Sequence, residues 1–189
     1  MFLVLMVCLL GQRLLELLLA ERNRRWAVKQ GGRETGQWHY PIVVTLHVCF
    51  YVSLVLEYGF VSKGWNILWP LWLSALLLAQ ALRIWAITSL GRSWNTRIVI
   101  IPGHESVLKG PYRYVRHPNY LAVALEFLVI PLLCGAYLTA LVFSLANAFV
   151  LKLRIREEER ALKQLDNADV ALPRFVPKLH WRPRARKSA

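Results

Sequence analysis

The sequence predicts an all-α, polytopic membrane protein of about five transmembrane helices, with the last two paired as a hairpin. Three observations carry that fold class. Apolar residues fill 56% of the 189 positions, and the mean hydropathy is +0.37. They fall in long runs, not in the periodic stripes of soluble amphipathic helices. Connections rich in Lys and Arg alternate with connections that have few or none.

Residues 1–20, 42–61 and 67–90 are each long enough to cross a hydrocarbon core of ~30 Å, which takes about 20 apolar residues. Such a segment must be helical, because lipid offers its backbone no hydrogen-bond partners. Residues 120–133 and 136–151 are shorter and are parted only by Cys134 and Gly135, which predicts a tight helical hairpin. The first connection holds Gly31, Gly32 and Gly36, the chemistry of a turn. It leads to Trp38, His39, Tyr40 and Pro41, expected as an aromatic belt at head-group level. Lys63 to Asn66 is expected to be no more than a turn. Residues 89–117 form the one long non-helical connection, and connections of that length are usually functional. Within it, Ile98 to Ile101 is expected as an extended segment along the membrane face, and Trp94 as an interfacial anchor. From residue 166 onward the chain is expected to be a basic cytoplasmic tail.

Lys and Arg number five in residues 21–40, one in 62–66, five in 88–118, none in 134–136 and eleven from 152 onward. The positive-inside rule then puts the N-terminus outside and the C-terminus in the cytoplasm. The net charge of +13 reads as attraction to anionic lipid head groups. Nucleic acid is not the expected partner of a chain this apolar. The first span lacks a basic leader and a small-residue cleavage pattern, so it is expected to stay on the protein. Cys8, Cys49 and Cys134 have no metal-ligand spacing, and no metal is expected. The chain also has no glycine-rich phosphate loop.

Two clusters could do chemistry. The stretch from Gly110 to Tyr120, GPYRYVRHPNY, gathers aromatic rings, an imidazole and cations between apolar segments. His117 precedes Pro118 and is therefore steered away from helical angles, while Pro118 suits a first helical position, so a helix should begin there. Its free amides and dipole would favour a carboxylate beside His117, Asn119 and Tyr120. The second cluster, residues 152–162, places Arg154 and Glu158 four apart on one helix face. Most of its charges fit a solvated helix end. A hairpin would nevertheless return Arg154 and Glu158 to the vicinity of Tyr112 and His117. Four ionisable residues fall inside apolar spans: Arg13, Glu16, Glu57 and Glu126. Such groups are costly in hydrocarbon and face the bundle interior by default. Arg13 and Glu16 are expected to pair, Glu126 to contact an acceptor, and Glu57 to reach water near the outer face. Asn95 and Arg97 are further candidate acceptor contacts.

Together the two clusters resemble the isoprenylcysteine carboxyl methyltransferase superfamily of membrane enzymes, whose signature joins RHPxY to a downstream arginine and glutamate. The resemblance is strongest over residues 90–162. It implies an S-adenosylmethionine-dependent methyltransferase domain over residues 1–165, with a cytoplasmic cofactor site drawn from 89–120 and 152–162. By the resemblance, the cofactor is held by His104, Glu105, Ser106, Val107, Tyr112, His117, Pro118, Asn119, Tyr120 and Glu158. Arg154 falls on the family's substrate-side arginine, with Glu126 and Asn95 as accompanying catalytic candidates. The strings around residues 90–97, 119–126 and 173–177 are similar to a bacterial branch that methylates hydroxyls of alkylpyrones and alkylresorcinols. The expected partner is therefore a lipophilic small molecule entering sideways from the bilayer. The tail departs from the prenylcysteine enzymes, which weighs against a prenylcysteine acceptor. Membrane sterol-type reductases share an RHPNY-like stretch and would use NADPH, but this chain lacks their cysteine-containing tail. A phospholipid N-methyltransferase would need an amine acceptor, for which Arg154 has the wrong charge. A non-catalytic scaffold would use both clusters only as interfacial anchors.

Overall fold

A computed structural model describes residues 2–62, 64–102 and 109–166. Its elements are α1 (Phe2–Lys29), β1 (Arg33–Thr35), α2 (Tyr40–Glu57), α3 (Trp69–Leu90), β2 (Ile98–Ile100), α4 (Pro118–Leu133) and α5 (Tyr137–Asp166). By length and composition, α1, α3, α5 and the helical stretch containing α2 can each cross a membrane, while α4 is a shorter apolar helix of 16 residues. The protein is thus the expected all-α, polytopic assembly, with one small addition.

That addition is a two-stranded antiparallel ladder in which Arg33, Glu34 and Thr35 face Ile100, Val99 and Ile98. Glycine chemistry predicts a turn in the first connection, and the turn is there, but a strand follows it. Gly31 adopts φ 80, and the Gly31 and Gly32 amides donate to the carbonyls of Val28 and Ala27. This paired closure ends α1 and turns the chain back. The ladder then satisfies backbone groups at the bundle end.

α1 runs nine residues past its apolar segment because Glu21 pairs with Arg24 at 2.7 Å and with Arg25 at 2.8 Å on the next turn. Leu15, Val48, Leu78 and Leu145 are exposed, as lipid-facing residues should be. The core gathers where α2, α3 and α4 meet: Phe50 and Leu54 pack with Leu76, Phe127, Ile130 and Leu133. The α4–α5 hairpin turns at Gly135, φ 70. Asn66 pins the α3 end to this turn. Its amide donates to Leu133 O at 3.2 Å, and its side chain bonds Tyr137 Oη at 3.0 Å and the Leu68 amide at 2.7 Å.

Two sequence expectations are corrected here and one is extended. Glu57 stays part-exposed, as expected, and its two carboxylate oxygens also accept the free amides of Leu138 at 2.9 Å and Thr139 at 2.7 Å, capping α5 from the neighbouring helix. Trp94 is not an interfacial anchor but is 2% exposed, because Asn23 of α1 holds its carbonyl at 2.8 Å. In the expected aromatic belt Trp38 is exposed, whereas His39 is buried.

Candidate active site

α4 begins at Pro118, with His117 as the preceding residue at φ −128 and ψ 63, outside helical angles. The approach to it is a 3-10 turn, Gly110–Arg113, seated on the end of α3. Gly110 has φ 57, and a Cβ there would lie 2.0 Å from Ser89 Oγ and 2.9 Å from Trp85 Nε1. Only glycine fits both the backbone angle and the close approach.

Tyr120 is the hub of this end of the bundle. Its hydroxyl donates to Glu158 Oε2 at 2.7 Å, its ring stacks on His117 at 5.2 Å between centroids, and the Arg154 guanidinium lies over it at 5.1 Å. The hairpin does bring α5 back to the start of α4, as the two clusters require. Tyr112 faces the same carboxylate, and burial, with the Glu158 charge added to it, pushes the phenol well above its ordinary range. It remains a neutral hydroxyl at any ordinary pH.

The other wall comes from the connection after α3. Arg154 Nη2 donates to Thr96 O at 2.7 Å, which ties α5 to that connection. Next to it, Arg97 pairs with Glu34 of β1 at 2.7 Å and covers the Tyr40 ring at 4.3 Å. The Glu34 carboxylate holds the Arg97 cation still more firmly protonated. The ladder is thus stitched to the wall that Thr96 and Tyr40 form.

Between these walls lies a cavity of about 390 Å³, lined by residues of all five helices and by Trp94, Asn95 and Thr96. Besides Arg83 Nε, which is ion-paired with Glu16, four of its polar atoms, Trp94 Nε1, Asn95 Oδ1, Asn119 Oδ1 and Arg154 Nε, are buried without a hydrogen-bond partner among the described residues. Unpaired buried polar atoms are expensive and mark a place that a ligand completes. Two are donors and two are acceptors as placed.

Of the residues expected from sequence, Tyr112, His117, Pro118, Asn119, Tyr120, Glu158, Arg154 and Asn95 all belong to this end of the molecule. His104, Glu105, Ser106 and Val107 lie outside the described residues, as does the tail beyond residue 166. Glu126 is placed elsewhere. It is 1% exposed, about two helical turns from Asn119, and its carboxylate is taken up by Arg13, Arg83 and Gln80. Arg13 and Glu16 pair at 2.9 Å, and Arg83 pairs with Glu16 at 2.7 Å, so the two cations and two anions form one neutral cluster, buried at Arg83 and Glu126 and half-buried at Arg13 and Glu16. A catalytic Glu126 would need a free oxygen at the cavity, and these partners leave it none there. Sequence reasoning missed Tyr40, His47 and Tyr51, which line the cavity from α2. Their spacing of seven and four residues, which sets three polar rings on one helical stripe, is the signal that could have shown them.

The chain is similar to bacterial proteins over most of its length. A protein of Bacillus subtilis (strain 168) named "Uncharacterized protein YpbQ" is 43% identical over 164 residues, covering 87% of this chain and 98% of its own. The sequence model described as "Isoprenylcysteine carboxyl methyltransferase (ICMT) family" matches residues 72–164, from α3 through the Arg154 and Glu158 turns of α5. The chain belongs to the ICMT family. It is an ICMT-family membrane methyltransferase, and the matched region contains every described site residue of the two clusters. An "Uncharacterized protein" of Haemophilus influenzae (strain ATCC 51907 / DSM 11121 / KW20 / Rd) is 30% identical over 159 residues, covering 84% of this ICMT-family chain and 92% of its own. No solved structure matches.

Proposed function

We propose that the protein is an S-adenosylmethionine-dependent O-methyltransferase whose acceptor is a lipophilic enol or phenol, of the alkylpyrone or alkylresorcinol kind. The observation that carries this reading is the juxtaposition of a carboxylate station, Glu158 with Tyr120 and Tyr112, and an arginine whose Nε is buried and, among the described residues, unpartnered in a mostly apolar cavity. When bound, S-adenosylmethionine would supply a methyl group on a positively charged sulfur: an acceptor oxygen would form its bond to the methyl carbon in line as the carbon–sulfur bond breaks, and a neutral thioether would leave.

The residues fit that cofactor. Glu158 offers an acceptor to its ammonium or ribose hydroxyls, and Tyr120 orients the carboxylate through the 2.7 Å bond. Asn119 Oδ1 offers a second, unpaired acceptor. The start of α4 offers free amides to a carboxylate. The Tyr120 ring is already covered by Arg154 and His117, so its part is to brace Glu158.

At the acceptor end, Arg154 is fixed by Thr96 through one nitrogen and keeps Nε for an acceptor oxygen. A guanidinium favours the ionised enol or phenol, which is the stronger nucleophile, and repels an ammonium. The apolar walls exclude water, which strengthens that interaction and lets positioning supply much of the rate. Exposed Leu10, Leu17, Val44, Val48 and Val52 border the cavity on α1 and α2, a route by which an alkyl tail stays in lipid while its head reaches Arg154.

Calorimetric titration of the purified protein with S-adenosylhomocysteine and with NADPH tests the reading. We expect binding of the former only, lost in Glu158→Ala. Binding of NADPH alone would transfer the protein to reductase chemistry. Binding of neither would remove the cofactor assignment.

A further inference from the structure

The cavity has a second polar end that methyl transfer at Arg154 does not use. The two ends can be placed along α4: Arg154 lies over Tyr120, and His47 packs edge-on against Phe127 with centroids 5.0 Å apart. Tyr120 and Phe127 are seven residues apart on one helix, ~10 Å along its axis. Between the two levels the lining is apolar, with Val43, Val123 and Val150.

His47 Nδ1 lies 2.8 Å from Val43 O. A carbonyl only accepts, so Nδ1 carries the proton, and the neutral ring presents Nε2 as a bare acceptor. His47 lines the cavity, and Nε2 has no hydrogen-bond partner among the described residues. Arg13, Glu16 and Arg83 line the same cavity, but with Glu126 they already satisfy one another's charges. A saturated tail running to this depth would seal an unpaired nitrogen against methylene groups, the arrangement that buried polar atoms avoid.

Resting on the function proposed above, we infer that the acceptor carries a second hydrogen-bond donor, such as a chain hydroxyl, part-way along its tail, received by His47 Nε2. An extended chain advances ~1.2 Å per bond, so the donor sits roughly eight bonds from the ring that is methylated. His47 is then a specificity residue and takes no part in the methyl transfer.

The test uses two 4-hydroxy-6-alkyl-2-pyrones with the same long chain, one of them hydroxylated near that carbon. Affinity for the full-length protein in nanodiscs is measured alongside the 15N shift of labelled histidine. We expect the hydroxylated pyrone to bind about tenfold tighter and to move the His47 Nε2 resonance. His47→Leu should erase the preference while still binding the plain pyrone, and His47→Gln, which keeps an acceptor, should restore part of it. Equal affinity in wild type, an unmoved Nε2 resonance, or a preference that survives His47→Leu would overturn the inference. The wild-type comparison decides even if a variant fails to fold. Methyl transfer is read separately: transfer to both pyrones without preference sinks only the His47 role, whereas transfer to neither pyrone nor to the matching resorcinols sinks the acceptor assignment itself.

Discussion

Arg154 is held by the Thr96 carbonyl on one nitrogen and by the Tyr120 ring beneath it, so both its direction and its depth are set before any acceptor arrives. A lysine can reproduce the charge but not the planar fork that serves Thr96 and an acceptor together. Arg154→Lys should therefore lower turnover roughly 100-fold, in the range of losing one transition-state donor, while S-adenosylhomocysteine affinity stays near wild type. Rate and calorimetry on the same preparation separate the two effects. Glu126 has the opposite profile. Replacing it with leucine leaves the Arg13 and Arg83 cations without their shared anion, and stability should fall by about 3–5 kcal/mol, seen as earlier unfolding in a detergent melt. Tyr112 adds a pH dependence. Its raised pKa means that the folded state holds the proton longer than the unfolded chain does, so stability is lost as pH climbs past the unfolded value near 10. Tyr112→Phe should flatten that alkaline loss in melts recorded across the same range.

At the scale of elements, the two helices of the hairpin are not autonomous. Glu57, at the end of α2, closes the amides that begin α5, so the hairpin depends on a carboxylate from another helix. Glu57→Gln keeps one acceptor and Glu57→Ala removes both. We expect losses of a few tenths and about 1–2 kcal/mol respectively, as for helix caps, measured by thermal unfolding in one detergent. The 3-10 turn before α4 has its own weak point. Gly110→Ala should cost stability and cofactor affinity together, because the turn that carries Tyr112 must lift off Ser89 and Trp85. Helix starts and ends were largely legible from the residues: Pro118 opens α4 and Gly135 turns the hairpin, as chain chemistry requires. The β ladder was not, because three residues of Arg33–Thr35 carry no alternation long enough to read. They become a strand only because Ile98–Ile100 lies within reach. Trp94 was misplaced for a related reason: a single residue does not show which neighbouring helix will bury it.

For the whole molecule, the candidate site was legible as two clusters, and the α4–α5 hairpin supplies the fact that joins them. What sequence could not supply was the cavity itself, since its walls come from segments as distant as Arg13 and Arg154. The charge alternation predicts its orientation: a C-terminal fluorescent fusion should fluoresce in the cytoplasm, and a C-terminal periplasmic reporter should stay silent. The length of α4 has a larger consequence. Sixteen helical residues span ~24 Å, against a hydrocarbon core of ~30 Å. With its far end held by the hairpin turn and Asn66, α4 falls short of that span, and on the function proposed above its Pro118 end would lie below the surrounding head groups, where a polar cofactor could reach it. On that reading the protein would not have to lift an oily molecule out of the bilayer to meet its methyl donor, because it would lower the aqueous boundary to the depth at which that molecule already lies.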